Sequence, residues 1–284
     1  MLLIATCKAY KEGNAALKNL QKRLENLHFQ CELKAWQEIN VKNLASNTLI
    51  LPLAVWDYSL EYANFLHFLN ELERKKIRIL NPSEILKMNA DKSYLKILEK
   101  ANLPIIPSVI FKQNGLFNLN QIPFEKAVIK PLVGQSGNGV RFLEQKTPTK
   151  AEFPHGALIQ PFIESVEELG EFCLIFFGGK FAYAIHRQTQ KDWRANSNYG
   201  VKISPLKNPH KAYINLALKA LKALKALNSS NLLYARVDLL PQKNGDAFIN
   251  EVELIEPSLY FDFCENSLDE FIKNLLPFYQ KANC

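Results

Sequence analysis

From residue 1 to about residue 88, apolar positions come in short runs separated by stretches with helical spacing. LLIATC, Cys31 to Ala35, Thr48 to Leu53 and Ile77 to Leu80 read as strands, and Ala15 to Leu27 and Ser59 to Lys75 as amphipathic helices. Strands alternating with helices in this way predict a small parallel sheet of the doubly wound kind. No glycine-rich turn follows the first strand, which removes the usual dinucleotide fingerprint. Asn81-Pro82-Ser83 breaks the pattern and is placed to cap the next helix, and Asp91 to cap another running from Lys92 to Ala101. A domain boundary is set near residue 88.

Beyond it the pattern changes. Leu103 to Phe111, Lys126 to Leu132 and Val140 to Leu143 read as strands around a loop at Gly134 to Gly139, a small β-rich lid of about residues 104–157 within a second domain, 89–284. Leu216 to Leu227 is a helix whose leucines face a core, with Lys219, Lys222 and Lys225 on its solvated side. LLYARVDLL and AFINEVELI are apolar strands joined at Asn244-Gly245, and a two-residue turn there sets Asp238 opposite Glu251 and Arg236 opposite Glu253. Facing carboxylates repel. Unless one is protonated, a cation belongs between them, and Mg2+ is a cation that takes carboxylate oxygens. The flanking residues are too apolar for a solvated face of acids. Pro241 is awkward in a paired strand and allows a longer loop.

Composition narrows the class without naming it. The chain has 284 residues, 48% of them hydrophobic, and no apolar run approaches the roughly 20 residues of a membrane helix. The opening MLLIATCKAY lacks a basic n-region and a long h-region. Five cysteines, at 7, 31, 173, 264 and 284, are scattered without metal spacing, so reduced thiols and a cytoplasmic location are expected, with no structural zinc. Cys7 is expected as a small buried hydrophobe. The net charge of +7 is spread along the chain and forms no basic stripe, so neither a nucleic-acid nor a membrane partner is expected.

Candidate chemistry lies in the second domain. GQSGNGV follows the strand AVIKPLV, and its glycines let backbone N–H groups approach phosphate oxygens. It lacks the Gly-Lys-Ser/Thr ending of a Walker loop and runs into another strand, so it reads as a hairpin tip. Lys130 sits inside an apolar strand, where an unpaired ammonium is costly and a phosphate partner would resolve the cost. Arg187, Arg194 and Asn196 fall in and just beyond a later strand, and guanidinium forks suit phosphoryl and carboxylate oxygens.

Taken in order, Lys92, Lys130-Pro131, GQSGNGV, QPFIES, Arg187, Arg194, Arg236-Val-Asp238 and Glu251-Val-Glu253 resemble the ATP-grasp superfamily over essentially the whole chain. HRQ and WRAN resemble segments of ribosomal-protein glutamate ligases and bacterial glutathione synthetases. VWDY, NPSEILKMNADKSYL, GEFCLIFFGG and NEVELIEPSLY are closer still to D-cycloserine-forming ligases. The resemblance implies an α/β (α+β) fold: a doubly wound parallel-sheet domain, a β-rich lid and a C-terminal mixed sheet. It implies that Lys92, Lys130 and Arg236 meet ATP, that Gly134, Gln135, Ser136, Gly137 and Gly139 close over its phosphates, and that Gln160, Phe162 and Ile163 form the adenine hinge. Glu171 would contact ribose. Asp238, Glu251 and Glu253 would bind two Mg2+ ions, with Mn2+ able to substitute. Lys130, Arg187, Arg194 and Asn196 would be catalytic.

The implied activity is a ligase joining a small-molecule carboxylate to an amine through an acyl phosphate, releasing ADP and phosphate. The carboxylate or the amine would be amino-acid or peptide-like, and ring closure is a variant. A small-molecule kinase and a nucleotide-binding scaffold are the alternatives, and a homodimer is compatible with all three. Two positions depart from the glutathione synthetase and glutamate ligase pattern. Glu253 stands where those branches carry Asn, and Tyr199-Gly200-Val201 stands where they carry a Gly-Gly pair, which leaves acceptor specificity open.

Overall fold

The computed structural model describes residues 1–112, 117–144, 148–225 and 232–283. Near the N-terminus, β1 (Leu2–Thr6) lies between β2 (Cys31–Ala35) and β3 (Leu49–Leu51), with β4 (Arg78–Ile79) beyond β3, all parallel. Every residue of β1 is buried, as a central strand covered on both faces requires. Leu2 and Ile4 pack with Leu17, Leu20 and Leu24 of α1 (Ala15–Asn26), whereas Leu3 and Ala5 pack with Phe65, Phe68 and Leu69 of α2 (Tyr62–Arg74). Helices on opposite faces make the sheet doubly wound, as the pattern predicts. Each large side chain buried in these clusters contributes about 1.5–3 kcal/mol. α2 starts later than the apolar periodicity suggests, because the Leu60 N–H closes a turn onto the Asp57 carbonyl.

The lid sheet has the order β5 (Val109–Lys112), β8 (Gly156–Pro161), β6 (Ala127–Pro131), β7 (Arg141–Phe142), antiparallel throughout. The strand expected from Leu103 is shorter because Pro104 and Pro107 have no N–H to pair. Ile105 keeps one parallel bridge to Ile249.

The largest sheet runs β11 (Lys202–Pro205), β10 (Lys180–Gln188), β9 (Glu171–Phe177), β12 (Tyr234–Pro241), β13 (Ala247–Glu253), and its named strands are antiparallel. The Ile105 bridge gives it its mixed character. β9 follows the short α5 (Ser165–Leu169), and its alternate residues serve two cores. Leu174 and Phe176 pack with Ala217 and Leu221 of α6 (Lys211–Ala223), and Ile175 and Phe177 with Phe271 and Leu275 of α7 (Ser267–Asn283). Lys219, Lys222 and Lys225 are exposed, as expected. α6 begins earlier than its leucine pattern suggests, and the last two positions of the expected helix lie outside the described residues.

The β12–β13 turn differs from a two-residue hairpin. Lys243, Asn244 and Gly245 form a three-residue loop closed by the Gln242 N–H on the Asp246 carbonyl at 2.8 Å, with Gly245 at φ 88°. That loop pairs Leu239 with Ile249 and Pro241 with Ala247, one residue out of the predicted register. A bulge at Asn250 restores it, so Asp238 faces Glu251 and Arg236 faces Glu253 after all.

Asn81 also departs from its expected role. It caps no helix: α3 (Ser83–Asn89) has Pro82 at its cap position and no side-chain cap. Asn81 is instead fully buried between the domains, where Nδ2 donates to the Tyr234 and Leu254 carbonyls, both at 2.8 Å, and Oδ1 accepts from the Leu233 and Tyr234 N–H groups. Asn89 bonds Val252 and Leu254 similarly, and the Tyr94 hydroxyl accepts from the Val252 N–H at 2.8 Å, which covers the free edge of β13. Asp91 behaves as predicted, accepting from the Ser93 N–H ahead of α4 (Leu95–Lys100). Asn81→Leu should therefore strand several main-chain groups and cost about 2–4 kcal/mol. The check is a lowered urea midpoint with an unchanged m-value.

Candidate active site

One cleft opens between the lid sheet and the largest sheet, with Lys92 on one wall and the Trp56 and Tyr58 turn of the first domain at its rim. Nearly all the residues singled out from sequence line it. Asp238 and Gly139 do not: Asp238 lies beneath the floor, and Gly139 packs on Pro131.

One end of the cleft is an apolar slot. Phe142, Phe162 and Trp193 meet one another at centroid distances of 4.7–5.5 Å, beside Ile106, Val128, Ile163 and Leu240. Gln160, 1% exposed, closes the slot at the end of β8. Its orientation is fixed by donor logic. The Ser108 hydroxyl gives its proton to the Ile106 carbonyl at 2.7 Å, so toward Gln160 it can only accept, and it takes Nε2–H at 2.9 Å. Gln160 Oε1 is left a buried acceptor without a donor among the described residues. An aromatic slot with one unfilled acceptor fits a flat heterocycle bearing an amino group.

The other end is ionic. Arg187 and Arg236, 5% and 3% exposed, converge on the Asp238 carboxylate: Arg236 Nε and Nη2 donate at 2.8 and 2.9 Å, and Arg187 Nη2 at 2.9 Å. Arg187 also holds Glu171, and Arg236 holds Glu253. Burial acts against the Asp238 charge, but the two guanidinium groups more than offset it and hold its pKa below the usual range. Burial pushes Glu253 up to about 7 despite Arg236, and raises Glu171 despite Arg187. Lys130 Nζ donates to Asn250 Oδ1 at 2.9 Å, and burial lowers its pKa. Lys92 pairs with Glu251 at 2.5 Å, which raises its pKa in spite of burial. Glu171, Cys173 and Asp238 also lie close enough to suggest a metal cluster, but burial raises the Cys173 thiol well above its ordinary range, and a protonated thiol is a poor partner for a hard cation.

The glycine loop, tip of the β6–β7 hairpin as expected, is tied on several sides. Gln135 donates through Nε2 to the Trp56 carbonyl and accepts from the Ser59 hydroxyl, so its amide engages the first domain rather than the cleft. The Tyr199 hydroxyl donates to the Gly137 carbonyl at 3.1 Å, and Arg194 Nη1 to the Val140 carbonyl at 3.0 Å. Gly137 has φ 70°, and a Cβ there would stand 2.9 Å from the Tyr199 ring; Gly139, at φ 71°, would meet Pro131 equally closely. Arg194 is buttressed by Asp192 and lies over the Tyr199 ring at 3.5 Å. The Asn196 side chain accepts from the Asn198 N–H and shapes this loop.

A lid sheet facing a larger sheet across one cleft is also the architecture of the ATP-grasp proteins that this chain matches. Residues 92–255, more than half of the chain, match the RimK-like ATP-grasp domain, and residues 2–81 match the N-terminal domain of D-cycloserine synthetase DcsG. The chain belongs to the RimK-like ATP-grasp family. Cycloserine biosynthesis protein DcsG of Streptomyces lavendulae is 25% identical over 240 residues, covering 78% of this chain and 79% of that protein. The crystal structure of D-cycloserine synthetase DcsG matches with a TM-score of 0.81 at 21% identity over 99% of both chains. D-alanine–D-alanine ligase from Bacillus anthracis matches at 0.68 and 16% identity, covering 99% of this chain and 98% of that one. These structural likenesses carry the fold alone; the family match and the DcsG sequence match make the chain an ATP-grasp ligase. Among the described residues no helix is long and apolar enough to cross a membrane.

Two site residues escaped the sequence reading. Asn250, raised by the bulge, bridges Lys130 and Glu171; its signal was a polar residue directly before Glu251 in an apolar strand. Glu256 lines the cleft at 9% exposure, and its signal was an acid inside the apolar LIEPSL. Burial first, then Glu253, pushes its carboxyl well above the ordinary carboxylate value of about 4.5. The folded state thus keeps a proton that the unfolded chain releases, so this group's contribution to stability falls as pH rises above about 4.5. Glu256→Gln should flatten that fall and stabilise the protein near neutrality, seen as urea midpoints across about pH 4.5 to 8.

Proposed function

We propose that the cleft binds ATP with divalent cations and forms an amide from a carboxylate and an amine through an acyl phosphate. One observation supports this above others: four cations of a kind that suits phosphate (Lys92, Lys130, Arg187, Arg236) and three carboxylates of a kind that suits a metal (Asp238, Glu251, Glu253) meet beside an aromatic slot, under a glycine loop. The slot residues Gln160, Phe162 and Ile163 would take adenine, with Oε1 of Gln160 accepting from its amino group. Glu171 remains the proposed ribose contact, reached by exchange of its present partners. Magnesium, held by Asp238, Glu251 and Glu253, would neutralise charge on the phosphate oxygens. The all-oxygen chemistry of these three side chains fits it.

In the reaction, a carboxylate oxygen attacks the γ-phosphorus, the bond to the β-phosphate oxygen breaks and ADP leaves. The amine nitrogen then attacks the acyl carbon, the carbon–oxygen bond to phosphate breaks, and the nitrogen gives up a proton. No side-chain nucleophile is needed, so the protein's part is positioning and charge compensation. Lys130 and Arg187 would face the transferring group, and Arg194 with Asn196 the acyl-phosphate oxygens. The closed glycine loop would keep water from the intermediate.

A recess beside the cleft shares Trp56, Ser197, Ser258 and Tyr260 with it and is lined further by residues such as Asn14, Leu17, Leu53, Ile203 and Phe261, with no lysine or arginine among the described residues. It is the proposed seat of an amino-acid-sized substrate, in keeping with the cycloserine relative.

Mg-ATP with pooled carboxylates, with and without pooled amines, provides the test. Phosphate release requiring both is expected, while a phosphorylated product without free phosphate would mean a kinase, and binding without turnover a scaffold. Glu251→Gln should lower turnover by about a hundredfold or more. In displacement of a fluorescent nucleotide, the native protein should prefer ATP to the analogue lacking the purine amino group by about tenfold, and Gln160→Leu should bind the two alike.

A further inference from the structure

Each carboxylate proposed above as a metal ligand is already paired with a cation of the same cleft. The Lys92 ammonium lies 2.5 Å from Glu251 Oε1 and donates to the Gly134 carbonyl at 2.8 Å, so it is held from two sides. Arg236 clasps Asp238 through two N–H groups and reaches Glu253 as well, and Arg187 closes on Asp238 from the other strand. These cations are the groups that phosphate oxygens recruit.

We propose that Lys92 and Arg236 are placeholders, which keep Glu251, Glu253 and Asp238 from taking a divalent cation until nucleotide phosphates draw them away. The inference rests on the metal-ligand reading of those three acids. A divalent cation arriving alone would take from the Lys92 ammonium the one carboxylate it pairs with directly and leave it buried beside a second positive charge. A polyphosphate arriving alone would bring its charge against Glu251 and Glu253. Together, each satisfies the group the other releases: ammonium and guanidinium turn to phosphate, and carboxylate turns to metal. Metal and nucleotide are then positively coupled, and the coupling is reciprocal.

Mn2+ is the probe, with free ion read by electron paramagnetic resonance and protein-bound ion by water-proton relaxation enhancement. The β,γ-imido analogue of ATP should raise the affinity of the native protein for Mn2+ by at least about tenfold. Lys92→Met should bind Mn2+ without nucleotide about tenfold more tightly than the native protein does, and adding Glu251→Gln should remove that gain. Native protein that binds Mn2+ equally well with and without the analogue overturns the inference, as does a Lys92→Met protein that gains nothing. If the analogue brings no relaxation enhancement at all, the metal-ligand reading itself fails. Should Lys92→Met not fold, Lys92→Gln takes its place in the same comparison.

Discussion

Two guanidinium groups closing on one carboxylate, Arg187 and Arg236 on Asp238, are the interaction on which the largest sheet depends. All three are almost fully buried, as is Glu171 beside them. Removing one member of such a cluster leaves a charge in low dielectric and costs about 3–5 kcal/mol, a large part of the 5–15 kcal/mol that a domain typically has. The strand order meets this demand directly. Arg187 on β10 faces Glu171 on β9, and Arg236 on β12 faces Glu253 on β13. Pairing these strands in another order or register would separate charges that have no other neutralising partner so close. The geometry that carries phosphate-binding groups is thus also the geometry that lets the sheet close.

Much of this was legible in the sequence because it depends on local periodicity. Strands alternating with helices gave the first domain, and the apolar runs around Asn244-Gly245 gave the strand pair with its facing acids. The rest depends on contacts between distant segments. Nothing near Asn81 shows that its amide will bridge main-chain groups of β12 and the residue after β13, since those carbonyls become neighbours only once the domains meet. The sharing of Asp238 between two arginines was hidden for the same reason: Arg187 lies two strands away from Arg236. The resemblance to ATP-grasp enzymes located residues that periodicity could not, yet it said little about Gln135, whose amide joins the first domain.

That junction gives the small first domain a part in the site without a charged group of its own there. Its Trp56 carbonyl and Ser59 hydroxyl hold Gln135 at the loop's start, while Tyr199 and Arg194 hold the loop from the largest sheet's side. Two separate segments, 56–59 and 194–199, therefore fix one glycine-rich hairpin. Such a hairpin has little packing of its own, because glycine offers no side chain to bury. Its position is set by polar contacts, which can be exchanged at lower cost than a packed core can be rearranged.

The Asn250 bulge also bears on how such an enzyme diverges. Because the ladder shifts by one residue between the hairpin tip and the acids, the length of the Lys243–Gly245 loop and the facing of Asp238 and Glu251 are set at separate places. An insertion or deletion at the tip can be absorbed by the bulge before it reaches the floor of the cleft. Descendants can remodel that exposed corner while the chemistry beneath it stays in step.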